Sequence, residues 1–290
     1  MNNLKTKGLL SIFIVFIFAA QMISYSNVIA CDIYKSNPAA ENRQLLTEKN
    51  SNIKYKTYEP VKHEALSKRD LDSAAVKIPV LMYHSINVKS TNNLIITPQE
   101  FDKQIKWLKD NGFTPLFLDE VYSMLTTGKD IPLKPVALTF DDGYVDNYTE
   151  AYPILKKYNF KATIFLITDS IGQHSVLNEE QIREMYANNI DFQSHTASHH
   201  ELNVLPYQKQ LDELVRSKEA LSKLLNKNID CICYPVGRYN ADTIKAAKTA
   251  GYKIGFTTKP GHAKQSDGLY TLTRVRMFPG MGMQILNSKK

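Results

Sequence analysis

Val136-Ala137-Leu138-Thr139-Phe140-Asp141-Asp142-Gly143 is the stretch around which this chain is organised. Its apolar and β-branched residues read as a buried strand, which runs straight into two adjacent carboxylates and a glycine. Neighbouring side chains of a strand point to opposite faces, so both acids can serve one site only if the chain turns there. Gly143 permits that turn. Two acids at the end of a buried strand are costly without a compensating cation or partner. The plain alternative is a solvated turn, because Asp-Gly pairs commonly mark turns.

Strands alternate with helices on both sides of this stretch. Ile78 to Tyr83 reads as a strand that delivers His84 at its end. In Thr97-Pro98-Gln99-Glu100, Thr97 is the expected N-cap, Pro98 the first helical residue and Glu100 the closing member of a capping box. Phe101, Ile105 and Leu108 follow at helical spacing, and Asn111-Gly112 ends that helix. A strand from Phe113 to Leu118 and a helix from Asp119 to Thr127 precede the organising strand. A helix from Asp146 to Asn159, interrupted by Pro153, follows it. Further strands are expected over Ala162 to Ile167, Ile190 to Ser194, Ile229 to Tyr234, Lys253 to Thr257 and Tyr270 to Met277. Helices are expected over Asn178 to Asn188, Tyr207 to Leu225 and Ala241 to Ala250. This alternation predicts an α/β fold with a parallel sheet. Seven or eight strands fit an irregular (β/α) barrel forming a single catalytic domain, with function gathered at the carboxyl ends of the strands. A doubly wound open sheet is the alternative.

The chain has 290 residues, 43% of them hydrophobic, enough for one substantial core. Its net charge of +7 is dispersed. No basic arm or aromatic-basic interleaving suggests a nucleic-acid partner. Residues 1–31 read as a signal segment of lipoprotein type. Lys5 and Lys7 precede an apolar run from Gly8 to Ala20 that is short for a membrane span. Val28-Ile29-Ala30-Cys31 resembles a bacterial lipobox, which makes Cys31 the expected lipidation site. Secretory cleavage near Ala30 and an uncleaved anchor are the alternatives. All three place the mature domain outside the cytoplasm, secreted or held at the membrane by a lipid or N-terminal anchor. Residues 32–76 read as a polar linker and 77–290 as the folded domain. Cys231 and Cys233, two apart on a strand, suit small core residues better than a disulfide or a metal pair.

Ser194-His195-Thr196-Ala197-Ser198-His199 lies at the end of another expected strand. Imidazoles four apart fall on one face of a helical turn, so both can bind one metal. A zinc-peptidase helix would place Glu directly after the first histidine, where this chain has Thr196. A polar surface turn is the alternative reading. Taken together, His84, Asp141, Asp142, His195, His199 and Tyr234-Pro235-Val236-Gly237 all sit just past expected strands. On a barrel they would converge at one rim. Asp, His and His form an open zinc shell with room for water, and a spare carboxylate can take that water's proton. These groups point to a hydrolytic site.

Thr139-Phe140-Asp141-Asp142-Gly143, His195-Thr196-Ala197-Ser198-His199 with Leu202, and Tyr234 to Gly237 with Tyr239-Asn240 resemble the three motifs of the polysaccharide deacetylases. This is carbohydrate esterase family four, with the chitooligosaccharide deacetylase homology domain. The match runs from about Lys77 to Phe278, and Val80 to Ile86 is similar to the poly-N-acetylglucosamine deacetylase branch. The resemblance implies Asp141 as catalytic base and Asp142, His195 and His199 as ligands of one divalent ion, zinc foremost, with cobalt, nickel or iron as alternatives. It implies a backbone N–H near Val236 as oxyanion donor and an N-acetylglucosamine-containing polysaccharide as substrate. Members usually draw the proton donor from a Leu-x-His motif near the C-terminus, and no histidine follows His262 here. His84 is the candidate for that proton donor, against a loop-holding role. Many members also carry an arginine two residues before the third-motif proline. This chain has Cys233 there, which leaves Arg274, or else Arg276, to tune the base. An O-acetyl carbohydrate esterase and a non-catalytic carbohydrate-binding domain are the competing functional readings.

Overall fold

Residues 68–89 and 92–287 are described in the computed structural model of the protein. The signal segment, Cys31 and nearly all of the expected linker lie outside the described residues. Fourteen elements carry the architecture. In chain order they are β1 (Val80–Tyr83), α1 (Pro98–Asp110), β2 (Thr114–Leu116), α2 (Leu118–Thr127), β3 (Pro135–Phe140), α3 (Tyr152–Tyr158) and β4 (Ala162–Leu166). Then come α4 (Glu179–Tyr186), β5 (Ile190–Ser194), α5 (Tyr207–Leu225), β6 (Cys231–Cys233), α6 (Ala241–Thr249), β7 (Ile254–Pro260) and β8 (Leu272–Arg276). Among the described residues, no helix is long and apolar enough to cross a membrane.

The eight strands are parallel, in the order β1-β8-β7-β6-β5-β4-β3-β2. A further β1–β3 pairing, from Val80↔Ala137 to Tyr83↔Phe140, closes seven of them into a barrel. β2 stays outside the ring. It pairs with β3 over Thr114↔Pro135 to Leu116↔Ala137, and β4 takes the same edge of β3 further on, at Thr139 and Phe140. Both β1 and β2 reach Ala137, and both β1 and β4 reach Thr139, so β2 and β4 must share the edge opposite β1. The expected (β/α) barrel is therefore present, and the open-sheet alternative is not.

Strand periodicity sorts the core into two layers. Ala137, Phe165, Cys231, Cys233, Phe256 and Leu272 belong to a cluster inside the barrel. Leu138, Phe140, Ile164, Phe192, Ile232 and Val275 belong to a second cluster, which packs under the helices. The α1 residues Phe101, Ile105 and Leu108 close over that outer layer at helical spacing.

Local signals held with instructive exceptions. Thr97 caps α1 by accepting the Glu100 N–H at 3.3 Å. The Glu100 carboxylate does not complete the expected box; it accepts instead from Gly280 N–H at 2.7 Å and Gln104 at 3.4 Å. Asn178 caps α4 in a box with Gln181. Ahead of α3, residues Asn147–Ala151 form a π turn. Pro153 lacks an N–H for an α-helical bond to Thr149, and the widened turn absorbs that defect. Ordered contacts also reach the N-terminal side of Lys77. Lys68–Arg69 pairs antiparallel with Ile131–Pro132, and Leu71 N–H donates to Gly128 C=O at 2.8 Å.

Candidate active site

The inward rows of the barrel end on chemistry. Ala137 and Thr139 face inward on β3, and the next residue of that row is Asp141. Along β5 the row is Asp191, Gln193 and His195; along β1 it is Val80, Met82 and His84. Cys233 and Arg274 occupy the inward rows of β6 and β8. Period-two alternation thus brings side chains from five strands to one end of the barrel interior.

Asp142 joins them by a turn rather than by register. It takes a left-handed backbone conformation (φ +74°), followed by Gly143 at φ +77°. A Cβ on Gly143 would lie 2.4 Å from Leu166 Cδ2, so both space and dihedral call for glycine. The turn puts both carboxylates at one site. Asp141 points into the barrel and Asp142 toward the histidines.

Asp142 Oδ1 lies 3.4 Å from His195 Nε2 and 3.4 Å from His199 Nε2, and the three donor atoms fall within 4.8 Å of one another. The imidazoles do not converge on a helical turn, which corrects the sequence expectation. Residues 195–200 are an irregular loop with Thr196 at φ +68° and His199 at φ +63°. That conformation costs roughly 1–3 kcal/mol per non-glycine residue.

The donor set fits a tetrahedral divalent ion. Ligand atoms about 2.0–2.2 Å from such an ion stand about 3.3–3.6 Å apart, and the carboxylate oxygen stands 3.4 Å from each of the two ring nitrogens. The tautomer of His195 fits as well. Its Nδ1–H donates to the Cys233 carbonyl at 2.7 Å, which leaves the Nε2 lone pair facing Asp142. His200 stands apart, with Nδ1 bonded to Ser198 Oγ at 2.5 Å. A second cluster, Asp141, His195 and Cys233, is compact but otherwise engaged. Its carboxylate and thiol both face an arginine.

That arginine is Arg274, which is 0% exposed. Its Nη1 and Nη2 donate to the two oxygens of Asp141 at 2.8 and 2.7 Å, a bidentate pair. Nε donates to Thr257 C=O at 3.0 Å, Nη1 also reaches Thr139 Oγ1 at 3.1 Å, and Nη2 lies 3.0 Å from Cys233 Sγ. Burial alone would raise the pKa of Asp141, which is 2% exposed. The charge and hydrogen bonds of Arg274 outweigh it and hold the carboxyl well below its usual range. Burial pushes the Cys233 thiol up, so it stays protonated beside them. Arg276 is exposed and takes no part.

His84 brings Nε2 to 3.8 Å from Asp141 Oδ2. Burial lowers its pKa more than the neighbouring carboxylates raise it. Its loop is tied down by Asp146, which accepts from Ser85 Oγ at 2.6 Å and Ile86 N–H at 3.2 Å. Asn147 adds a bond from Nδ2 to His84 C=O at 2.8 Å.

The Tyr234-Pro235-Val236-Gly237 stretch is a tight turn in which Val236, β-branched and exposed, adopts φ +56°. The turn's own bonds run from Gly237 N–H to Tyr234 C=O and from Arg238 N–H to Pro235 C=O, so the Val236 N–H is not used by them. A Cβ on Gly237 would meet Thr258 Oγ1 at 2.1 Å. Tyr234 is buried and stacks on Tyr239 at 5.5 Å.

Sequence reasoning missed two residues that shape the site. Cys233, expected as a small core residue and, by the family resemblance, at the position of the usual arginine, is buried and free with its Sγ 3.0 Å from Arg274 Nη2. Asp146 and Glu213, a buried carboxylate of α5, were not singled out. Glu213 interrupts an apolar helix face, which is a readable signal.

Comparison with known proteins identifies the family. The sequence profile of the polysaccharide deacetylase family matches residues 128–255. YxkH of Bacillus subtilis (strain 168), assigned by its name to the polysaccharide deacetylases, is 49% identical over 205 residues, 71% of this chain and 73% of its own length. A Staphylococcus epidermidis protein named poly-beta-1,6-N-acetyl-D-glucosamine N-deacetylase is 32% identical over 278 residues, 90% of this chain and 91% of its own. Among solved structures, the Streptococcus pyogenes deacetylase PplD, in complex with acetate, superposes with a TM-score of 0.72 at 41% identity. It covers 74% of this chain and 99% of its own. The chain therefore belongs to the polysaccharide deacetylase family.

Proposed function

We propose that the protein is a metal-dependent N-deacetylase that hydrolyses N-acetyl groups of an N-acetylglucosamine-containing polysaccharide outside the cytoplasm. The observation that carries this reading is the pair of adjacent carboxylates with divided duties. Asp142 faces two histidine nitrogens at 3.4 Å, while Asp141 is bound bidentately by Arg274. A substrate of this class is supported by the name of the staphylococcal relative that spans nearly the whole chain. The extracytoplasmic location rests on the leader-like residues 1–31.

Asp142, His195 and His199 would hold one divalent ion, zinc by its fit to the donor set. When bound, that ion supplies Lewis acidity for the acetamide carbonyl and makes a water acidic enough to lose its proton near neutral pH. Asp141 takes that proton as general base, with Arg274 keeping the carboxylate ionised and oriented. The Val236 N–H, unused by its own turn, offers a donor where the acetamide oxygen gains charge. His84, 3.8 Å from Asp141 and with its pKa lowered by burial, is placed to pass the proton that Asp141 has taken up to the departing amine. Cleavage leaves acetate and a free amine on the sugar.

The test is acetate release from poly-N-acetylglucosamine, peptidoglycan and chitooligosaccharides, alongside zinc content. Asp142→Ala and His195→Ala should lose the metal. Asp141→Asn should keep it and lose turnover, and His84→Ala should keep it and turn over slowly. An active Asp141→Asn enzyme would refute the base assignment.

A further inference from the structure

The loop that carries His195 and His199 is held from outside the barrel by one face of α5, and we infer that Glu213 on that face is a positioning residue for His199. The inference rests on the reading of Asp142, His195 and His199 as metal ligands. The inner face of α5 is built from Leu214, Leu221, Leu224 and Leu225, yet Gln210, Glu213 and Ser217 are buried on it as well. A carboxylate in such a place is costly unless its oxygens are engaged. Glu213 is 8% exposed, and both its oxygens go to one residue. Oε2 accepts the Ser198 backbone N–H at 2.8 Å and Oε1 accepts the Ser198 hydroxyl at 2.6 Å. One helical turn further on, Ser217 Oγ is bonded to Ser194 Oγ at 2.8 Å.

Ser194 and Ser198 are the residues immediately before His195 and His199. α5 thus grips the chain one step ahead of each candidate ligand. His195 has a second restraint, the bond from its Nδ1–H to Cys233. Among the described residues, His199 Nδ1 has no hydrogen bond; its ring only packs edge-on against His195, centroids 4.8 Å apart, and its backbone is in the left-handed region. Fixing the Ser198 N–H fixes the start of the segment that aims His199 Nε2 at Asp142. The Ser198 hydroxyl, with its only proton given to Glu213, accepts from His200 Nδ1–H at 2.5 Å. That contact occupies His200 away from the ligand group.

The experiment measures zinc affinity of the full chain by competition with a chromophoric chelator, with the unfolding midpoint of each variant as a check on folding. Glu213→Ala should weaken zinc binding about 10–100-fold, the range expected when a ligand's supporting partner is lost. Glu213→Gln should recover part of that loss, because an amide oxygen can still accept the Ser198 N–H. At saturating zinc, kcat should return close to wild type. A folded Glu213→Ala protein with zinc affinity within twofold of wild type would overturn the assignment. If that variant does not fold, Glu213→Gln decides: affinity equal to wild type overturns it, and a severalfold loss supports it. A wild type that binds zinc but releases no acetate from any polymer would sink the deacetylase reading and leave this assignment standing. One that binds no zinc would end both.

Discussion

Arg274 and Asp141 form the most consequential pair of single residues in the molecule. Breaking a buried ion pair from one side leaves the other charge uncompensated, at a cost of about 3–5 kcal/mol. Arg274→Met should therefore lower the urea unfolding free energy by about that amount. Adding Asp141→Asn should return part of it, because the stranded charge is then gone; additive losses in the double variant would contradict the pairing. Arg274→Lys should fall between, since one ammonium cannot bridge both carboxylate oxygens and the Thr257 carbonyl. At this scale the sequence was half legible. The acids and histidines stood out because their types and spacing are chemical. Arg274 could be named only as one of two candidates, since Arg276 lies in the same row of β8 and which of them stands level with Asp141 depends on the register β8 adopts beside β1 and β7. Cys233 was legible as a core residue at the usual arginine position, but its contact with Arg274 comes from a strand distant in sequence.

Elements place these residues, and their ends matter more than their middles. The turn after β3 depends on Gly143, where an added methyl meets both a positive φ and the Leu166 side chain. Gly143→Ala should cost about 1–3 kcal/mol in stability from the dihedral alone. It should also weaken zinc binding by displacing Asp142, which the chelator competition would read directly. Asn240 offers a milder case. It caps α6 in a box with Thr243 and donates from Nδ2 to Asn203 C=O at 3.1 Å, in the loop beyond His199. Asn240→Ala should cost about 1 kcal/mol and lower Tm by about 2–4 °C. Strands and helices were found from hydrophobic period and caps to within a few residues, and α5 and β5 to the residue. The loop from His195 to His199 was misread as helical. Spacing of four is ambiguous between a helical turn and two left-handed kinks, and only the contacts to Ser217, Glu213 and the neighbouring β4 turn select the second.

Closure of the barrel is the molecular-scale feature on which the site depends. β1 lies between β8 and β3, so His84, Arg274 and Asp141 become neighbours only when the first strand pairs with the third. Alternating strands and helices announced a parallel sheet, but whether it would close was a matter of strand pairing across the whole chain, which no local pattern contains. A site assembled from the two halves of the barrel should also report on the whole fold when it is filled. A ligand that binds only the folded state adds about 2.7 kcal/mol at a hundred times its Kd. For a domain of this size that corresponds to a rise in Tm of about 5–10 °C. Zinc added to chelator-treated protein should produce that rise, and a chelator should reverse it. His199→Ala and Asp142→Ala should abolish the increment. Asp141→Asn should start from a lower Tm, with Arg274 left unpaired, and still gain it, because Asp141 is engaged with arginine rather than with the histidines. An increment lost in Asp141→Asn but kept in Asp142→Ala would reverse the division of labour between the two carboxylates.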